Sequence, residues 1–432
     1  MKRPDSIRSM QWFQIFRQGG LILTAIAMAN GLLSQPEIGN YELLLFLGFS
    51  LSFFWVDGLI KTYLMEYQTS EQRGRLVYQV YTILLACSFA LLAIFTLGNQ
   101  TLFHALLGQE KISYLGLYAL YLFFILPSNL LSVHLMLLNR NRALLALGSI
   151  MLIAPVSIVL ISTGVYDSLD WMYGGFVIYG IGLHLVMLMV ILPRWEARFD
   201  RSLIRSIFRL SWPLMVYAIA VSMARIFDGW LVSWFFQDES TFAIFRYGAR
   251  EFPLAVALAT GVTTAFVPLL QKDINQGMAD LKRRSARLIK IIFPISAVLI
   301  IISPWAFELV FTEDFVPSAY IFNIYLLLVL SQLLFPHAIV LSFKENQTIL
   351  RASLVELAFN VILSLIFIQW WNLEGVALAT VIAYLVEKII YIQYLKRKFS
   401  ILSTQYVPWR VYFLFASLIA ISFLVSRFYI WA

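Results

Sequence analysis

Apolar residues in this chain come in blocks, not at intervals. About thirteen stretches of roughly 20 residues, nearly free of charge, alternate with short polar loops. A helix needs about 20 apolar residues to cross about 30 Å of hydrocarbon, so each block predicts a membrane-spanning helix. The predicted spans are 11–33, 42–65, 76–97, 114–138, 143–166, 170–193, 208–236, 243–270, 288–311, 318–342, 347–370, 374–395 and 410–431. No loop between them is long enough to fold separately. The expected fold class is an all-α integral membrane protein.

Charge gives the set an orientation. Basic residues crowd alternate loops, among them Lys2, Arg3, Arg8, Arg73, Arg75, Arg140, Arg142, the run from Arg194 to Arg209, the run from Lys282 to Lys290, and Lys396, Arg397 and Lys398. The opposite loops hold Lys111 and otherwise acids: Glu37, Glu42, Asp167, Asp170, Asp238, Glu239, Glu313, Asp314 and Glu374. Basic loops are retained in the cytoplasm, which places the N-terminus there. The sequence is 61% hydrophobic, only 13% charged, with a net charge of +8. That excess follows from the loop asymmetry and from contact with anionic membrane lipids, not from nucleic-acid binding. The first block lacks a small-residue cleavage site and reads as a retained helix. Cys87 stands alone, so no disulfide framework is expected.

Features of an enzyme are missing from the pattern. His104, His134, His184 and His337 are isolated, and no cluster has metal-ligand spacing. No Gly-rich loop precedes a helix. A catalytic centre, a metal site and a cofactor are therefore not expected. Function is sought in the intramembrane charges, which survive in lipid only when paired or when they line a wet cavity. These are Arg17, Asp57, Lys61, Arg225, Asp228, Arg246, Arg250, Glu251, Arg351, Glu356, Glu387 and Lys388. Helical rise is constant, so residues equally far from a hairpin turn lie at one depth. This rule makes Arg17 level with Asp57, Asp228 with Arg250, and Glu356 with Lys388, as three candidate ion pairs. Arg225 and Arg246 remain as a basic patch in spans seven and eight, and the planar guanidinium fork suits a diphosphate. Trp55 and Trp230 lie deep, for helix packing or for stacking on a sugar ring.

Helix breakers gather in the same spans: Gly19, Gly20, Pro213, Pro253, Pro268, Pro294, Pro304 and Pro336. Broken helices are typical of transporters that alternate between two states. Re-entry after span one through Ile38-Gly39-Asn40-Tyr41-Glu42 has a weak echo after span seven in Arg246-Tyr247-Gly248. Residues 1–200 then form one six-helix lobe and 201–398 a second, with 399–432 as an additional C-terminal helix.

Those motifs, with Ser211-Trp212-Pro213-Leu214, Phe266-Val267-Pro268, Phe343-Lys344-Glu345-Asn346, Asn360 and the run Gly375 to Thr380, resemble the multidrug/oligosaccharidyl-lipid/polysaccharide (MOP) exporter superfamily. Its polysaccharide-transporter branch is the nearest in length and intramembrane arginines. Members commonly carry twelve or fourteen helices, where thirteen are predicted here. The resemblance implies two lobes around a central cationic cavity, alternating access, and a flippase that moves undecaprenyl-diphosphate-linked oligosaccharide to the outer leaflet for O-antigen-type surface polysaccharide. Arg225, Arg246, Arg250, Lys61 and Arg17 would hold the phosphates. Asp57, Asp228, Glu251, Glu356 and Glu387 would couple transport to H+ or Na+. Membrane lipids and other polysaccharide-assembly proteins are the implied partners, and a bacterial cytoplasmic (inner) membrane is the implied location. Two alternatives stay open: an ion-coupled multidrug exporter of the same fold, and a membrane glycan polymerase or ligase.

Overall fold

The structure, a computed structural model, describes residues 4–67, 70–98, 108, 112–164, 166 and 168–430. Lys2, Arg3, His104, Lys111 and Asp167 lie outside the described residues, as do the side chains of Arg8 and Arg225. Among the described residues all regular structure is helical. In chain order the helices are α1 (Pro4–Ala29), α2 (Gln35–Glu66), α3 (Arg73–Leu97), α4 (Leu115–Leu137), α5 (Asn141–Gly164), α6 (Leu169–Ile191) and α7 (Arg201–Phe236). They continue with α8 (Glu239–Gly248), α9 (Pro253–Lys272), α10 (Ile274–Phe311), α11 (Val316–Leu326), α12 (Pro336–Ser342), α13 (Asn346–Phe399) and α14 (Trp409–Val425).

Every predicted span falls on helix, though not as a set of continuous rods. Among the described residues ten helices are long and apolar enough to cross a membrane, and the pair Arg201–Ile219 and Ser222–Phe236, bent by 52° within α7, makes eleven. Helix α1 is not among them, because Gln11, Gln14, Arg17 and Gln18 dilute its apolar content. Span eight is split into α8 and α9 by residues 249–252, and Pro253 opens α9 where its missing N–H costs nothing. Span ten is likewise split, with Pro336 opening α12. Spans eleven and twelve run together in α13 and divide at Trp371 and Asn372, the latter at φ 48 and ψ −132.

Polar residues set the helix starts. Asp200 accepts from the N–H groups of Ser202 and Leu203 at 2.9 and 3.2 Å, and Asp273 from those of Asn275 and Gln276 at 3.0 Å each. Each satisfies donors that a first turn leaves open. Glu37 accepts from the Ser34 N–H at 2.7 Å at the head of α2.

The chain divides into two compact units, Met1–Ser222 with Ser233–Ala243, and Met223–Val232 with Ile244–Ala432. The expected boundary at residue 200 thus shifts into α7. The basic connector belongs to the first unit, where Arg75 pairs with Glu196 at 3.0 Å, Gln79 donates to the Arg198 carbonyl at 2.9 Å, and Tyr78 packs edge-on to Trp195. It is fastened to α3.

In the first unit α1 lies along α5, and α4 packs against both α3 and α6. Its core includes Leu43, Leu44, Leu84, Leu130 and Met172, all fully buried. His134 and His184 are each hydrogen-bonded to a tyrosine, Tyr63 and Tyr81 respectively. In the second unit α10 packs on α11 and α14 around Ile289, Ile292, Phe293, Ile300, Leu326 and Ile419. The last helix is therefore part of that core. Gly39 and Gly248, from the repeated re-entry motif, do one job in the two units. A Cβ on Gly39 would strike the backbone carbonyl of Glu239, and one on Gly248 that of Ser318.

Candidate functional site

The second unit buries a carboxylate that has no ion pair among the described residues. Asp228, on the 223–232 stretch of α7, is 2% exposed. Its Oδ2 accepts from the Thr380 hydroxyl at 2.6 Å and its Oδ1 from the Ser364 hydroxyl at 3.3 Å. Asn360 donates through Nδ2 to Thr380 Oγ1 at 3.1 Å, and that hydroxyl also lies 3.2 Å from the Val376 carbonyl. The Oδ1 of Asn360 is buried with no hydrogen-bond partner among the described residues.

Both arms of α13 build this cluster. Asn360 and Ser364 are one turn apart on the first arm and so share a face, and on the second arm the Thr380 hydroxyl folds back on the Val376 carbonyl one turn before it. The break at Trp371 and Asn372 folds the arms together, and Gly375 permits it, since a Cβ there would strike the Phe367 carbonyl.

A buried charge is costly unless it is compensated. No Lys or Arg forms an ion pair with Asp228 among the described residues. Its neighbours offer a carboxylate, two hydroxyls, an amide oxygen and a main-chain carbonyl, all hard oxygen donors. Such a set suits a small monovalent or divalent cation, or a proton on the carboxylate itself.

The three level pairs read from the sequence do not form. Asp57 pairs with Lys61 one turn away at 2.7 Å, not with Arg17. The reason is that α1 lies along α5 and barely touches α2. Asp228 is taken by Thr380 and Ser364, not by Arg250, because the break at residues 249–252 interrupts the helix on which the depth rule relied. Lys388 pairs with its neighbour Glu387, not with Glu356.

The remaining candidates scatter. Arg250 has its guanidinium 5.2 Å from the ring centre of Tyr247 and reaches the Arg246 carbonyl at 3.4 Å. Arg246, Arg250, Glu251 and Glu356 all have interaction partners. Glu251 accepts from Gln332 at 2.8 Å, and Glu387 from Tyr391 at 3.0 Å. Arg17, half-buried on α1, has no ion-pair partner among the described residues. Thr380, Ser364 and Val376 escaped the sequence search because neutral polar groups were not counted. A partial signal was there: Asn360 and Ser364 spaced by four on one arm of the hairpin and Thr380 on the other, while the Val376 carbonyl is a main-chain group with no sequence signature.

Outside the spans, Glu345 in the turn before α13 takes hydrogen bonds from Lys398 and, at 2.7 Å, from Tyr394. The Lys398 bond, then that of Tyr394, holds its carboxyl below the usual range.

One solved structure with this fold is the lipid II flippase MurJ in an inward closed conformation, with TM-score 0.72 and 16% identity, covering 98% of this chain and 92% of that one. A MOP superfamily transporter from Pyrococcus furiosus gives TM-score 0.61 and 15% identity, over 92% of this chain and 97% of that one. An outward-facing multidrug resistance MATE family transporter gives 0.58 and 13%, over 91% and 96%. No curated protein matches the chain. The family model described as "Polysaccharide biosynthesis protein" matches residues 32–320, and the chain belongs to that family.

Proposed function

We propose that this protein is an alternating-access flippase that carries an undecaprenyl-diphosphate-linked oligosaccharide from the cytoplasmic to the outer leaflet. Membership of the polysaccharide biosynthesis family is the observation that carries the reading. The shared fold with a lipid II flippase supports it. So does the chain's store of intramembrane cations, for which a diphosphate is a natural counter-charge. Arg225, Arg246, Arg250, Lys61 and Arg17 hold the phosphates, and no covalent chemistry is needed. In this reading the protein sits in a bacterial inner membrane with its N-terminus cytoplasmic, an orientation that the basic loops support. Other polysaccharide-assembly proteins then supply the cargo and consume it.

Transport is coupled to H+ or Na+ at Asp228. A buried acid that loses and regains its cation changes the attraction between α7 and the two arms of α13, which gives two states with different stabilities. Asn360 Oδ1, buried and unpaired, supplies one donor to the incoming cation. Asp57, Glu251, Glu356 and Glu387 are secondary candidates, each already engaged elsewhere.

The experiment is deletion of the gene from its host followed by leaflet-resolved lipid analysis. Lipid-linked oligosaccharide accumulating on the inner leaflet supports the reading. Unchanged surface glycan with altered sensitivity to organic cations would favour the multidrug exporter instead.

A further inference from the structure

The second unit contains a hollow of about 200 Å³ that is separate from the Asp228 cluster. It lies where α11, the turn at Trp371 and the end of α14 meet, and Tyr320, Trp371, Glu374, Leu378, Phe423 and Arg427 line it. Asn323 closes its floor. That amide is buried and saturated, accepting from Ser303 at 2.8 Å and donating to Ser426 and the Ile300 carbonyl at 3.2 Å each.

Three observations define what the hollow can hold. First, Arg427 is the one cation that lines the hollow and Glu374 the one acid, among the described residues. It pairs with Glu374 at 2.9 Å, with side chains 45% and 32% exposed. Pairs this accessible stabilise a fold little, so the bridge is weak as a strut and open to an incoming group. Second, Arg427 spends one N–H on Glu374 and lies 5.5 Å from the ring centre of Tyr320, while a guanidinium has five donors. Third, the C-terminal part of α14 and the turn after it, which bring Phe423, Ser426 and Arg427 to the hollow, expose apolar side chains at Ile421, Leu424 and Phe428. In a membrane protein that surface faces acyl chains, and the hollow sits where it gives way to charge, at headgroup depth.

We infer that this hollow is a binding site for the headgroup of a zwitterionic aminophospholipid, a phosphoethanolamine. Its phosphate takes the spare Arg427 donors and its ammonium donates to the second Glu374 oxygen against the face of Trp371. Charges then alternate around the site, and both ends of the zwitterion are matched. Choline lacks the N–H donors for Glu374, and phosphatidylglycerol lacks the cation. Drug-sized ligands occupy about 300–1,000 Å³, so the hollow suits a headgroup better than an oligosaccharide. The site is independent of the cargo assigned above.

The test is native mass spectrometry of the delipidated full-length protein titrated with phosphatidylethanolamine, phosphatidylcholine or phosphatidylglycerol. Phosphatidylethanolamine should bind about tenfold more tightly than either competitor, and Arg427→Ala and Glu374→Gln should each erase that preference. Leu378→Trp, which fills the hollow and leaves both charges, should erase it too. Where Arg427→Ala does not yield folded protein, Arg427→Lys serves, since it keeps the charge and loses the fork; weakened preference supports the site. Equal binding of the three lipids by the wild type overturns the inference. So does undiminished preference in the variants, or displacement of the lipid by a soluble oligosaccharide, which would make the hollow a glycan subsite.

Discussion

Thr380 Oγ1 lies 2.6 Å from Asp228 Oδ2, joining the second arm of α13 to α7 through one charge-assisted hydrogen bond. Around that bond the described residues place hydroxyls, an amide and a main-chain carbonyl, and no Lys or Arg among them forms an ion pair with Asp228. Thr380→Val should therefore do more than remove a hydroxyl. It strips the carboxylate of its closest donor at a cost of about 1–3 kcal/mol and weakens cation uptake by about tenfold or more. The shift is read as the Na+ or pH dependence of transport in proteoliposomes. Asp228→Asn should abolish the dependence altogether, leaving a rate that ignores the gradient.

Asn360→Ala removes a donor to Thr380 and a buried oxygen that has no hydrogen-bond partner among the described residues. The melting temperature of the cation-free protein should change little, while the stabilisation conferred by added cation should fall. Equal destabilisation with and without cation would make Asn360 a packing residue only.

Gly39 and Gly248 face backbone in their respective units, so an added methyl cannot be absorbed by a rotamer change. Gly39→Ala and Gly248→Ala should each cost about 1–3 kcal/mol, seen as a lower melting temperature. Gly182, with nothing near its Cβ position, is the control, and its alanine variant should melt close to wild type.

Glu345 sits below its usual pKa because Lys398 and Tyr394 bond the ionised form. A depressed carboxyl stabilises the fold above its unfolded pKa, and that contribution is lost as pH falls through the folded value. The clasp between the turn and α13 should thus hold at neutral pH and loosen below about pH 4. Hydrogen-exchange protection at residues 343–346, taken relative to the intrinsic rate at each pH, should fall in acid for the wild type, and Glu345→Gln should show the low protection at neutral pH as well.

Much of this architecture was legible in the sequence because hydrophobic blocks of bilayer length have one reading in a helical membrane protein. Prolines 253 and 336 also marked where spans eight and ten break. Ion pairs were not legible. The depth rule fixes the level of a residue but not the direction in which its helix packs, so Arg17 on α1 turned toward a different neighbour from Asp57. It also assumes unbroken helices, which Arg250 violates. Asp228 was found as a buried charge, and its neutral partners were passed over because hydroxyls and amides cost too little in lipid to stand out.

The central claim, that intramembrane arginines carry a diphosphate-linked glycan across the bilayer, is tested most directly by reconstitution. Purified protein in liposomes is given a fluorescent undecaprenyl-diphosphate oligosaccharide, and an impermeant quencher reports the fraction left inside. The wild type should expose all of the probe, and the double variant Arg225→Ala with Arg246→Ala should fall to the level of protein-free vesicles. Translocation by the double variant at the wild-type rate would contradict the account.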